Sequence, residues 1–433
     1  MNQIKSLGIL AACLIIQSCA AQNKTNAPEI SQGEVSRIIK TLSGDEMMGR
    51  SAMKPKEIGK SADFIASEFK KAGLKFFGKA DSYRQSFAVG NIKPIGGTLK
   101  INGQNIDAGD FTLTSSEETV NITSLPKVIK ISAGDNFANK FREVMGGQEN
   151  ALIQIDPSFK AMFARYKGFL ERGNMSVKTE KSPNIIFVVF GDEITSVDLT
   201  FKNEVSQTPM FNVVGVLPGK SKPNEYVVFS AHYDHLGVIK TVNQDSIANG
   251  ADDDASGTTA VIELAKYFSK EKDNERTIIF VAFTAEEIGG FGSQYFSKQL
   301  NPDEVVAMFN IEMIGKESKF GKNNAFITGY ERSDFGKILQ KNLDGTDFKF
   351  YPDPYPAQNL FYRSDNATLA RLGVPAHTIS SDQIDTDKLY HSVDDEFESM
   401  NIENITEIIK AIAISSTSIV EGKDTPSRVS GVK

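Results

Sequence analysis

Five short segments in the second half of the sequence put histidine or acidic side chains at the ends of apolar runs. His232-Tyr233-Asp234-His235 follows the run 226–230. Asp252-Asp253-Asp254 lies just ahead of a helical pattern, and Glu286-Glu287 follows the strongly apolar 278–283. Glu312 closes Asn310-Ile311-Glu312-Met313, and Tyr390-His391 precedes Asp394-Asp395. Imidazole binds metal directly, and a nearby carboxylate such as Asp234 can hold the His232 ring in one tautomer. Taken singly, each segment has a plainer account. An HxD triplet is usually a loop histidine, and three acids at a helix start read first as N-capping and dipole complementation. Adjacent glutamates at the end of a buried strand are costly unless something pairs with them, and neighbours can divide metal binding from proton handling. Of the four histidines, His232 and His391 fall in acid-rich segments. His235 and His377 have no comparable setting, and His377, after Gly373-Val374-Pro375-Ala376, reads as structural.

The elements that must position these groups follow from periodicity. From residue 211 onward, apolar runs at 213–217, 226–230, 277–283, 305–311 and 325–328 suit buried strands. Helical patterns occupy 256–270, 292–299, 333–343 and 402–416. Such alternation predicts an α/β fold with a central sheet and helices on both faces, whose sites form at the carboxyl ends of strands. Upstream, 34–82 is helical in pattern, with Gly73 as a stop. Residues 83–207 carry short β-rich runs, with Asn102-Gly103 as a hairpin signal, and read as a β-rich insertion. The locally basic stretch 159–181 reads as a solvated helix face. The divisions expected are therefore a polar tether at 20–33, a helical part at 34–82, the insertion at 83–207, a catalytic domain at 208–420 and a loose tail at 421–433.

The 433 residues carry a formal net charge of −7 and no long basic stripe, which argues against nucleic-acid binding. Lys5, the apolar run 7–16 and Gln17-Ser18-Cys19 have the layout of an export signal too short to span a bilayer. Ile16-Gln17-Ser18-Cys19 is similar to a bacterial lipobox. The expectation is a signal at 1–19, a lipid anchor at Cys19 as the only membrane attachment, and a lipoprotein of a bacterial cell envelope; plain secretion with an unmodified cysteine is the alternative. Both cysteines, Cys13 and Cys19, lie in this segment. A metal site in the folded body must use histidine and carboxylate.

In order and spacing, HYD, DDDASG, AEE, NIEM and YHSVDD together resemble metallopeptidase family 28 of clan MH. Leu42-Ser43-Gly44-Asp45-Glu46-Met47-Met48-Gly49-Arg50 and Asn212-Val213-Val214-Gly215 fit the same pattern. So does Arg363-Ser364-Asp365-Asn366, with Asn366 in place of the usual histidine. The resemblance covers roughly residues 35–415 and implies a three-layer αβα phosphorylase/hydrolase-like catalytic domain with a mixed sheet. It further implies two zinc ions. His391 and Glu287 would hold the first, His232 and Glu312 the second, and Asp253 would bridge them, followed by a peptide bond that is often cis in relatives. Glu286 aligns with the general base, and Tyr390 with an oxyanion donor, though a packed aromatic beside a ligand explains Tyr390 equally well. Glu312 departs from the usual aspartate and is longer by about 1.5 Å.

The function implied is a zinc-dependent exopeptidase acting on peptides, foremost an aminopeptidase. A hydroxide shared by the ions would attack the carbonyl, and Glu286 would carry the proton to the leaving amine. The alternatives are a carboxypeptidase, with Arg363 near the substrate, a one-zinc glutaminyl cyclase-like acyltransferase, and a non-catalytic binding protein on the same fold. Retention of His232 and of the glutamate pair points to two metals. The insertion resembles a protease-associated domain in position and strand content only, and nothing in the sequence sets the oligomeric state.

Overall fold

The computed structural model describes residues 29–177 and 181–430. The expected signal, Cys19 and most of the tether lie outside the described residues. Helix Gln32–Leu42 begins inside the expected tether, because Ser31 Oγ accepts the Glu34 N–H and closes the first turn.

A 12-stranded mixed sheet organises the molecule. Arg276–Phe283, Lys222–His232, Val305–Ile311 and Ala376–Ser380 are neighbours in that order and run parallel. Val197–Leu217 joins antiparallel on one side. Asn324–Ile327 joins antiparallel on the other, with Lys349–Pro352 outside it. Alternation assigns the faces. Val227, Phe229 and Ala231 pack with Ile278, Phe280 and Ala282 in one layer, while Val228, Ile279 and Val281 pack in the other. Rings of Phe229, Phe280 and Phe309 stack across three parallel strands on the first face. Helices Gln32–Leu42, Pro55–Lys71, Gly257–Glu271, Phe335–Asn342 and Ile402–Val420 cover that face; Phe291–Ser297 and Asn366–Ala370 cover the opposite one. The molecule is the αβα sandwich expected.

The strands Ala376–Ser380 and Lys349–Pro352 were not among those expected. Ala-His-Thr-Ile-Ser has no long apolar run, yet it is wholly buried, since the His377 ring nitrogens lie 2.8 Å from Thr328 O and 2.7 Å from Ser333 Oγ.

Strands Arg84–Ile101 and Val197–Leu217 pair from Val213↔Arg84 to Val197↔Ile101, so the ribbon entering the insertion is an extension of the central sheet. The expected boundary at 207/208 therefore falls inside a strand. Asn102-Gly103 turns this ribbon into Gln104–Asn105 with φ of 52° and 78°, the left-handed pair such a two-residue turn needs. A second, four-stranded sheet packs one face on the ribbon through Leu99, Leu199 and Phe201. Helices Phe137–Met145 and Lys160–Leu170 cover its other face, with Phe141 and Phe163 buried there. The insertion is thus α/β rather than β alone.

The tail also differs from expectation. Arg276, almost wholly buried, donates to Ile419 O, Asp424 O and Thr425 Oγ1, and Val429 N donates to Gly373 O. Residues 421–430 are tied to the body.

Candidate metal centre

The four parallel strands end together, and each delivers acid or imidazole there. His232 ends its own strand. Glu286 and Glu287 follow Arg276–Phe283, Glu312 follows Val305–Ile311, and Asp382 follows Ala376–Ser380. Asp253 and His391 arrive on loops.

Asp253 is the hub. Its Oδ1 lies 3.1 Å from His232 Nε2, and its Oδ2 lies 3.3 Å from His391 Nε2. His391 Nε2 is in turn 3.1 Å from Glu287 Oε2. The residues marked out by sequence as ligands or catalytic groups thus gather in one place, and Glu286, Glu312 and Tyr390 line the same cleft. The Tyr390 ring stacks on His391 with centroids 3.8 Å apart, the packing arrangement weighed for it, and Tyr390 also lines the cleft.

The loops are held by a dense set of buried hydrogen bonds. Asp254 Oδ1 accepts the N–H groups of Gly257 and Met313, and its Oδ2 accepts that of His232. One carboxylate thereby links the strand ends that carry His232 and Glu312. The Asp253–Asp254 peptide is cis, as the resemblance implied. Asp395 accepts from the backbone N–H groups of Asp252 and Asp253. Asp252, Asp382 and Asp387 bring their carboxylates together behind the hub, where Lys316 Nζ serves as a built-in cation, 3.2 Å from Asp252 and 2.6 Å from Asp387.

Several of these roles were missed by sequence reasoning. His232 Nδ1 faces the backbone oxygen of Asp234 at 3.1 Å, while the Asp234 carboxylate stands 3.8 Å away. That carboxylate instead accepts from the N–H groups of Glu286, at 3.1 Å, and Glu287, so it holds the glutamate pair rather than the ring. His235, expected to lie outside the site, is buried in it, with Nδ1 2.8 Å from Glu287 Oε1. Arg50 is completely buried and donates to the carbonyls of Leu42, Tyr233, Asn249, Gly250 and Asp253. The N-terminal motif thus clamps two metal-site loops. Asp365, also buried, has no close hydrogen-bond partner for either oxygen among the described residues. Asn366 packs structurally through Phe361 O, Ala376 O and Thr378 Oγ1. The only sequence signal for Arg50 and Asp365 was their place inside resemblance motifs.

Electrostatics favour a cation. Burial raises the Glu286 carboxyl well above its usual value, against the pull of His232, and pushes Glu312 up to about 7 and Asp365 to about 6. Burial disfavours charge on His391, but Asp253 and Glu287 outweigh it and raise that imidazole to about 10. Burial makes charge costly for the carboxyls, and the acids around His391 favour positive charge among them. Among the described residues the buried Nε2 atoms of His232 and His235 find no hydrogen-bond partner. Neighbouring donors on a tetrahedral zinc stand about 3.3 Å apart, close to the spacings around Asp253. The donor set fits zinc: His391 Nε2 stands 3.3 Å from Asp253 and 3.1 Å from Glu287, and His235, Asp253 and Glu287 also bring ligand atoms within 4.8 Å of one another.

Comparison with known proteins agrees with this architecture. Residues 212–415 match the family model "Peptidase family M28", a match that takes in the candidate metal centre. A "Probable zinc metalloprotease" of Pyrenophora teres f. teres is 37% identical over 109 residues, which are 25% of this chain and 22% of that protein. "Leucine aminopeptidase 1" of Ajellomyces capsulatus is 28% identical over 218 residues, 46% of this chain and 54% of that one. The chain thus spans about a fifth to a half of the length of these curated relatives. Among solved structures, the aminopeptidase from Aneurinibacillus sp. strain AM-1 aligns with TM-score 0.53 and 19% identity over 90% of this chain and 94% of that one. BSAP, a zinc aminopeptidase from Bacillus subtilis, aligns with TM-score 0.52 and 18% identity over 92% and 97%. These two share the fold.

Proposed function

We propose that the chain is a zinc-dependent aminopeptidase working with two ions. The observation that carries this is the convergence on Asp253 of His232 and His391, one on each carboxylate oxygen at 3.1 and 3.3 Å. A single-ion site has no use for the His232 side of that arrangement. The names of the relatives, zinc metalloprotease and leucine aminopeptidase, point the same way.

When bound, zinc acidifies a water and polarises the substrate carbonyl. The chain's own groups supply the rest. Glu286, its carboxyl raised by burial, takes a proton from the attacking water and passes it to the leaving amine. Asp234 fixes the loop carrying Glu286 through two backbone N–H groups. Tyr390, which lines the same cleft, supplies its hydroxyl as a donor to the developing oxyanion.

The purified protein should cleave aminoacyl substrates, lose activity to a chelator and regain it with zinc. Glu286→Gln should keep zinc uptake while cutting turnover by about 10²- to 10⁴-fold. Equal cleavage of N-blocked peptides would overturn the aminopeptidase assignment, and full activity in the variant would overturn the proton route. We also infer that the protein is exported and lipid-anchored at Cys19. Support comes from the lipobox-like residues 16–19, and lipid labelling of wild type against Cys19→Ala tests it.

A further inference from the structure

His235 has no place in the proposed ligand set, yet it is 2% exposed and stands against Glu287. Its Nδ1 is 2.8 Å from Glu287 Oε1 and 3.7 Å from Asp253 Oδ2. His391 Nε2 approaches the other oxygen, Oε2, at 3.1 Å. One carboxylate is therefore gripped at both oxygens by different imidazoles. An ionised carboxylate only accepts, so the His235 hydrogen sits on Nδ1. The ring's seat is shaped for it. Gly250 has φ 57°, and a Cβ there would stand 2.6 Å from Cγ and Cδ2 of His235. The His235 N–H donates to the carbonyl of Arg50, tying the ring's backbone to the buried clamp.

We propose that His235 is a positioning residue of the first zinc site: its Nδ1–H holds Glu287 Oε1, so that Oε2 is the oxygen offered to the ion alongside His391 and Asp253. A free glutamate carboxylate turns broadly about its last torsion. Pinning one oxygen removes that freedom before the metal arrives. Outer partners of this kind are worth about 10- to 100-fold in metal affinity.

The inference rests on reading the site as a zinc centre, and the test separates the two. Metal-free full-length protein is titrated with zinc against a chromophoric chelator. In parallel, cobalt(II) loading is followed by visible absorption. His235→Leu should weaken one zinc equivalent by about 10- to 100-fold, spare the other and shift the cobalt bands. His235→Asn should recover most of the loss, because its amide nitrogen falls near the Nδ1 position, whereas His235→Gln, reaching toward Nε2, should not. This polar pair carries the test if the leucine variant does not fold. Unchanged affinities and cobalt spectra in the leucine variant, or equal behaviour of the polar pair, would reduce His235 to packing. Loss of a nitrogen donor from the zinc X-ray absorption spectrum of the variants would make it a direct ligand and overturn the positioning role. A wild-type chain that takes up no zinc fails the zinc reading itself, before any variant is compared.

Discussion

Glu312 is the residue at which this chain departs most tellingly from the pattern it resembles. Its carboxyl lies deep enough for burial to raise it to about 7. Beneath it, Asn310 Nδ2 donates to Ser364 Oγ at 2.7 Å, and Ser230 Oγ donates to Asn310 Oδ1 at 2.7 Å, so side-chain hydrogen bonds brace the strand end. Glu312→Asp withdraws the carboxylate by about 1.5 Å. On the proposed two-ion reading it should weaken one zinc equivalent at least about tenfold, in keeping with the dependence of binding on ligand placement, and leave the other unchanged. A stoichiometric zinc titration checks this; tighter binding in the variant would mean that the backbone already stands where the shorter side chain needs it.

Among the elements, positioning falls to the loops and to what lies under them. Helix Gly257–Glu271 starts against the strand that carries Glu312. A Cβ at Gly257 would come within 2.1 Å of Ile311 O and 2.5 Å of Asp254 Oδ1, so glycine here permits the approach. Arg50 joins the first layer of helices to the loops of His232 and Asp253 through five carbonyls. A lysine has three donors on one nitrogen and cannot reach all of them. Arg50→Lys should cost about 3 kcal/mol or more by stranding buried carbonyls, read from the denaturant midpoint. It should also weaken zinc binding, although Arg50 is on no ligand list. A variant with wild-type stability and zinc affinity would remove the clamp from the account.

For the molecule as a whole, His377 sets a limit on acid stability. Burial lowers its pKa to about 4 from an ordinary 6.5, with Arg332 adding to the effect and the Thr328 carbonyl opposing it. Between those values the unfolded chain binds the proton and the folded chain does not. Stability therefore rises with pH across that window and is lost as pH falls from 6.5 toward 4. The loss amounts to about 3 kcal/mol. In His377→Gln this part of the pH–stability curve should flatten, as measured by denaturant unfolding of metal-free protein from pH 4 to 7. An unchanged slope would assign it to the carboxylates instead.

The strand-and-helix alternation and the strand-end position of the acids and imidazoles were legible from local pattern, whereas the roles of the seven proposed site residues came only from the family resemblance that their motifs carry. The first two were legible because apolar periodicity and short-range spacing are written in consecutive residues. What the line of residues left open is how groups far apart meet. The order of strands carried Glu287 to His235. The Asp234 carboxylate turned from a ring to two backbone amides, and a fully buried arginine from the first fifty residues came to lie under the metal loops. Ala376–Ser380 became a central strand without looking like one. Hydrogen bonds between distant carbonyls and side chains leave no periodic trace, and burial of a polar strand depends on the partners that surround it. Those were decided only when the chain closed on itself.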